Sequence, residues 1–130
     1  MWKSFLMAFL TVISTSALAE WTKIEKNNSE GITRYVDTTT IQRNKNKVRM
    51  VNLIDYQAKR EALDDKFLSI KVVQEYDCNA VKKRILAINT YHGNMGTGGV
   101  LYRDTSPNEW KIVSSPGSSG LTLWEAACTK

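Results

Sequence analysis

Few residues in this chain belong to the types that do covalent or metal chemistry, and their spacing narrows what that chemistry can be. There are two cysteines and one histidine in 130 residues. Cys78 and Cys128 stand about 50 residues apart, whereas a redox pair usually sits close in sequence, as in Cys-x-x-Cys. The two readings are a reactive thiol pair and a structural disulfide, and the compartment argued below favours the bridge. A structural zinc site takes four Cys or His ligands, more than these residue types supply here.

His92 invites a triad with Asp104 and Ser114 or Ser118. However, "GSSG" does not have the G-x-S-x-G spacing of a nucleophile elbow, and a lone histidine beside glycines reads as a turn-flanking residue. "GNMGTGG" has the glycine content of a phosphate loop. A true one opens a helix with Lys-Ser/Thr, and "VLYRD", which follows here, reads as strand. The segment is therefore read as a glycine hairpin or bulge, with Met95 as an exposed apolar tip for a partner. Glu61, Asp64 and Asp65 lack the alternating oxygen ligands and mid-loop glycine of a calcium loop and read as a charged solvent loop. No catalytic residue, metal or cofactor is expected.

Charge carries more information. The formal net charge is +5, one unit of it at Lys3. "QRNKNKVR" and "VKKR" place Arg43, Lys45, Lys47, Lys82 and Lys83 where one surface would meet an acidic partner; the plain alternative is a solvated face. Nucleic acid is a poor counterpart for an exported chain without repeated exposed aromatics for stacking. Anionic lipid headgroups or glycans suit an envelope better.

Export is read from the start of the chain, "MWKSFLMAFLTVISTSALAEW". A lysine, a short apolar run and small residues before the cut form a secretory leader, with cleavage expected after Ala19. The apolar run falls short of the ~20 residues that cross a bilayer, so no integral membrane span is expected. No cysteine stands at the cut to carry a lipid. Residues 20–130 then form one domain, resident in the periplasm, at the cell surface or outside the cell. In that oxidising setting two cysteines are most simply one disulfide, Cys78 to Cys128. Closing a loop of about 50 residues stabilises by roughly 4 kcal/mol in the chain-entropy account.

These residues need elements to position them. "EWTKIEK" and "ITRYVD" flank the turn signal "NNSEG" as a hairpin. "TTTIQR" is expected to make one helical turn, "NKNK" a loop, and "VRMVNLIDYQA" a central strand. "KREALDDK" reads as a short helical connection or a mobile loop. "FLSIKVVQEYDC" alternates, apart from Val73 and Gln74, and puts Leu68, Ile70, Val72, Tyr76 and Cys78 on one face. "VKKRILAINTYH" and "VLYRD" return as strands, with a further short strand about Ile112. The end, "SSGLTLWEAACTK", predicts a helix of about nine residues capped by Ser118 or Ser119. Its Leu121, Trp124 and Cys128 share a face, and too short to be stable alone, it needs the sheet and the bridge. Trp21, Trp110 and Trp124 read as core or near-core residues. The fold class is α+β: an antiparallel sheet of about six strands with a C-terminal helix tethered to one face by a disulfide.

The ordered landmarks Trp21, "RYVD", "IDY", "EYDC", "RILAINTYHGNMGTGGVLY", Trp110, "SPGS" and "LWEAAC" resemble the surface-adhesin protein E family of bacterial envelope proteins. The resemblance covers nearly all of residues 20–130. It implies an antiparallel sheet with a disulfide-tied C-terminal helix, and Cys78–Cys128 as that bridge. It also implies a non-enzymatic binding protein whose partner is a host extracellular or envelope protein, with a homodimer in view. The adhesin that names the family is lipid-anchored, and this chain lacks the cysteine for such an anchor. The alternatives are a periplasmic structural or accessory protein with no host partner, and a small hydrolase.

Overall fold

Alternating strands joined by tight turns make a sheet whose neighbours in space are neighbours in sequence. The computed structural model describes residues 20–62, 65–113 and 118–129. The leader expected at 1–19, Asp64 and Ser114 lie outside the described residues. The elements are β1 (Thr22–Asn27), β2 (Ile32–Asn44), β3 (Lys47–Ala62), β4 (Asp65–Asp77), β5 (Lys82–Tyr91), a single 3-10 turn (Asn94–Gly96), β6 (Val100–Asp104), β7 (Lys111–Ile112) and α1 (Ser119–Cys128). Strands β1 to β6 form an antiparallel meander in chain order, and the two-residue β7 pairs with β5 beside β6.

Two expected non-strand segments are strand. "TTTIQR" continues β2 instead of making a helical turn, with a register shift between Asp37 and Gln42. Local side chains take over where the ladder is interrupted. Asp37 Oδ1 accepts from the Thr39 amide at 3.0 Å, and Thr40 Oγ1 accepts from the Val51 amide at 2.9 Å. "KREALDDK" is neither helix nor loop over most of its length: β3 and β4 run on and pair, Arg60 opposite Phe67 and Glu61 opposite Lys66. The charged extension is braced from the side. Arg60 stacks on the Tyr56 ring at 5.0 Å and donates to the Glu30 carbonyl oxygen at 3.0 Å.

The helix starts as capping chemistry directs, with Ser118 Oγ accepting from the Leu121 amide at 3.2 Å. Its buried stripe centres on Leu123 and Ala127, not Leu121. The rotation is set from its C-terminal half. Cys128 joins Cys78 with the Cα atoms 5.6 Å apart, and the Trp124 indole donates to the Asp77 carbonyl oxygen at 2.9 Å. With those two residues turned to the end of β4, Leu123 and Ala127 fall over the sheet, where they join Val36, Val48, Met50 and Tyr76 in the core.

Beneath the helix the core holds a polar cluster. Asn52 Nδ2 donates to Gln74 Oε1 and to the Tyr76 hydroxyl, both at 2.9 Å, and that hydroxyl donates to Gln74 Oε1. Gln74 therefore belongs to the inward set with Val72 and Tyr76 and is 8% exposed. Gln74 Oε1 and Asn52 Nδ2 are tolerated because their partners come with them, whereas Asn52 Oδ1 is buried without a partner among the described residues. Burial pushes the Tyr76 phenol well above its ordinary pKa, against the pull of its hydrogen bond with Asn52.

Candidate functional site

Directly paired residues in a sheet point to the same side, so the pairing shows what the face away from the helix carries. At the end of the β2–β3 and β4–β5 hairpins, one row reads Gln42, Arg49, Glu75, Arg84 across four strands. The next reads Asn44, Lys47, Asp77, Lys82. In each row β4 supplies an acid with a cation on either side. Arg84 Nη2 lies 2.8 Å from Glu75 Oε1, and Arg49 Nε lies 3.4 Å from Glu75 Oε2. Lys47 Nζ lies 3.1 Å from Asp77 Oδ2.

The acids sit low and the cations ride above them. The Glu75 side chain is 8% exposed and that of Arg49 is 56% exposed. The Trp110 ring spans the arrangement, with Lys47 Nζ 5.5 Å and the Arg84 guanidinium carbon 4.8 Å from its centre. Asn108 brings it there by clamping Ile85: its amide donates to the Ile85 carbonyl oxygen at 2.9 Å, and its Oδ1 accepts from the Ile85 amide at 2.7 Å. Partial desolvation works against the charge on Asp77. Donors from Lys47, Asn46 and the Asn79 and Ala80 amides outweigh it and hold the carboxyl below the usual carboxylate range. A polar groove of about 380 Å³ runs beside these rows, lined by Gln42, Arg43, Asn44, Lys47, Arg49 and Glu75.

The structure divides the basic residues singled out from sequence. Lys47 and Lys82 are in the same row on the open face, and Lys45 is exposed at the tip of the β2–β3 hairpin. Arg43 pairs with Val48, and its Nη2 donates to the Cys128 carbonyl oxygen at the end of α1 at 3.3 Å. Lys83 faces the helix, where its Nζ would lie 3.3 Å from a Cβ added at Gly120. Burial lowers the Lys83 pKa, and Arg34 and Lys111 lower it further. Arg49 and Arg84 were not singled out, and Trp110 was read only as a core or near-core residue. Alternation was a usable signal for the first two, since each stands two residues from a chosen lysine. Nothing local foretells where Trp110 lands.

Met95 is at the other end of the sheet and is half-buried, not an exposed tip. The glycine segment folds back over β3 and β4 on the open face. Asp55 Oδ1 accepts from Asn94 Nδ2 at 3.0 Å and from the Met95 amide at 2.8 Å. Buried Ser69 accepts from the Gly96 amide at 2.9 Å and donates to the Gly93 carbonyl oxygen at 2.6 Å. Lys71 lies in the same corner, 5.1 Å from the Tyr91 ring centre and 5.9 Å from that of Trp21.

Two of the triad candidates are engaged elsewhere. Ser118 caps the helix, and Asp104 Oδ1 accepts from the Ser106 amide at 2.8 Å. Among the described residues no group of three His, Cys, Asp or Glu is placed to hold a metal ion, and no helix is long and apolar enough to cross a membrane. The cavity between the sheet and Leu123, bordered by Arg34, Asn52 and Gln74, holds only about 30 Å³, far below the ~300 Å³ of a small-molecule site.

Comparison with known proteins agrees with this architecture. The family model described as surface-adhesin protein E matches residues 21–129. Crystal form II of Haemophilus influenzae protein E superposes with a TM-score of 0.63 at 14% identity, covering 88% of this chain and 91% of that one. Protein E from non-typeable Haemophilus influenzae gives 0.62 at 12% identity, covering 88% and 79%. A further protein E structure gives 0.62 at 14% identity, covering 88% of each chain. At these identities the structures establish a shared fold. Curated protein sequences give no match.

Proposed function

The chain belongs to the surface-adhesin protein E family, and on that premise we propose that it is an exported, non-enzymatic binding protein. It recognises a protein or envelope partner through exposed sheet and loop surface. The observation that carries this reading is the family match over residues 21–129. The chemistry of the surface supports it: a rigid open face with cations raised above sunken acids, beside a groove lined by polar and charged side chains. Such a surface suits recognition of a charged partner better than enclosure of a small substrate.

The leader-like start supports export, and periplasmic residence is the compartment proposed. The deciding experiment combines protease shaving of intact cells with pull-down from envelope and host extracellular extracts. A binding protein recovers a partner with the oxidised chain. Recovery of nothing from either extract overturns the reading in favour of a structural role. Degradation in intact cells overturns periplasmic residence.

A further inference from the structure

We infer that the cationic end of the open face binds an acidic polysaccharide, a sulfated or carboxylated glycan chain. The inference rests on the binding-protein reading above and names the surface and the chemistry of the partner.

The cations are arranged as a raised lattice. Arg49 and Arg84 flank Glu75 in one row, and Lys47 and Lys82 flank Asp77 in the next. Flanking cations two strands apart stand about 10 Å from each other, and successive rows about 7 Å apart, from the strand spacing and rise. Each acid is already paired with its flanking cations, Glu75 with Arg49 and Arg84 and Asp77 with Lys47, so it neutralises part of their charge while lying lower than they do. Trp110 braces Lys47 and Arg84 across β4, which reduces the ordering still to be done on binding.

Lys45 adds a second observation. It stands at the hairpin tip with φ 58, the left-handed region that favours glycine or asparagine and costs other residues about 1–2 kcal/mol. Lys45 thus holds an exposed cation at the tip of the hairpin that carries Lys47 and Arg49.

A flat lattice of cations suits a chain with repeating negative groups. It lacks the central apolar anchor pocket that a folded protein partner uses. Ile112 opposite Lys82 is 70% exposed, a single apolar step where membrane insertion takes a whole apolar face. An acidic polysaccharide is therefore the occupant that the charge pattern fits.

The test uses the full chain, exported with its own leader and purified oxidised, with heparin as the probe. Binding is measured against salt at physiological pH. Lys45→Glu/Lys82→Glu removes two exposed cations of the patch. Lys26→Glu/Lys59→Glu makes the same change of net charge at exposed sites on β1 and β3 away from it. The expected result is a loss of about tenfold or more in heparin affinity for the first variant, with a log–log salt slope smaller by about two, and a change within about twofold for the second. Thermal unfolding of both variants checks that the fold is intact. Equal losses in the two variants, or no heparin binding by the wild-type chain, overturn the inference. Binding to phosphatidylglycerol vesicles without heparin binding overturns it in favour of a membrane surface. Recovery of a protein partner by a chain that ignores heparin overturns the glycan assignment and leaves the binding-protein reading standing. Recovery of no partner from any extract is the failure of that reading itself.

Discussion

The Trp124 indole donates to the main-chain carbonyl oxygen of Asp77 at 2.9 Å, one residue before the cysteine that bridges to Cys128. Helix positions i and i+4 are thus both fastened to the end of β4. The Asp77 side chain meanwhile holds Lys47 on the opposite face. One residue therefore ties the helix to one side of the sheet and the raised lysine to the other.

Loss of the bridge is expected to loosen the whole helix. Cys78→Ala/Cys128→Ala, or reduction of the wild-type chain, should lower stability by roughly 4 kcal/mol less any relief of strain. Trp124→Phe replaces the indole by a smaller ring and removes the hydrogen bond, and should lose at least about 1–2 kcal/mol. Urea unfolding at neutral pH, with and without reductant, reads both.

The buried phenol predicts a stability difference that depends on alkali. Tyr76→Phe removes a hydroxyl bonded to Asn52 and Gln74 and should cost about 1–2 kcal/mol near neutrality. Burial holds the folded Tyr76 pKa above the unfolded value. Its contribution is thus fully present below the unfolded pKa of about 10 and declines above it, by about 1.4 kcal/mol per pH unit. The gap between wild type and variant should narrow from about pH 10 upward in chemical denaturation. A gap that stays constant to pH 11 would contradict the assignment.

Lys83 is predicted to oppose folding while charged. Burial, with Arg34 and Lys111, depresses its folded pKa, so its charge is less favourable in the folded chain than in the unfolded one. The penalty is complete at low pH and disappears as pH rises through the folded and then the ordinary lysine pKa. Lys83→Met should raise the melting temperature at pH 7, and the gain should shrink toward pH 10–11. Calorimetry across that range reads the trend.

The glycine segment offers a paired comparison. Gly96 has φ +70, and a Cβ there would lie 2.4 Å from Lys71 Cε, forcing that side chain from its corner. Gly31 has φ +66, but its added Cβ would meet nothing nearer than 3.5 Å. Gly31→Ala should therefore lose about 1 kcal/mol from conformation alone, and Gly96→Ala more. Thermal melts of the two variants, with Trp21 fluorescence reporting the Lys71 corner, check the order.

Much of the fold was legible because its signals are local. Alternation marked β4, a long run with apolar residues on both faces marked β3, and a serine followed by an apolar helical pattern marked α1. The misread segments were those where tertiary contacts override local character. "TTTIQR" looks too polar for a strand, yet Asp37 and Thr40 supply the hydrogen bonds that the bulge interrupts. "KREALDDK" looks like a solvent loop, yet the Arg60–Tyr56 contact and pairing to β4 hold much of it extended. The candidate surface was half legible. The basic runs were visible, but not that Lys82 and Lys83 would part to opposite faces, nor that Trp110 would cross β4 to brace Lys47 and Arg84.

Residue types and their order were enough to determine the compartment expected, the disulfide, the antiparallel class and the terminal helix, because caps, alternation and cysteine count act over a few residues or through composition alone. Tertiary structure alone decided which cations stand together and which acids sink beneath them. That grouping comes from cross-strand register, which brings residue 49 beside 75 and 75 beside 84. It also fixed the helix rotation, through two attachments to the end of β4 that no helical periodicity contains.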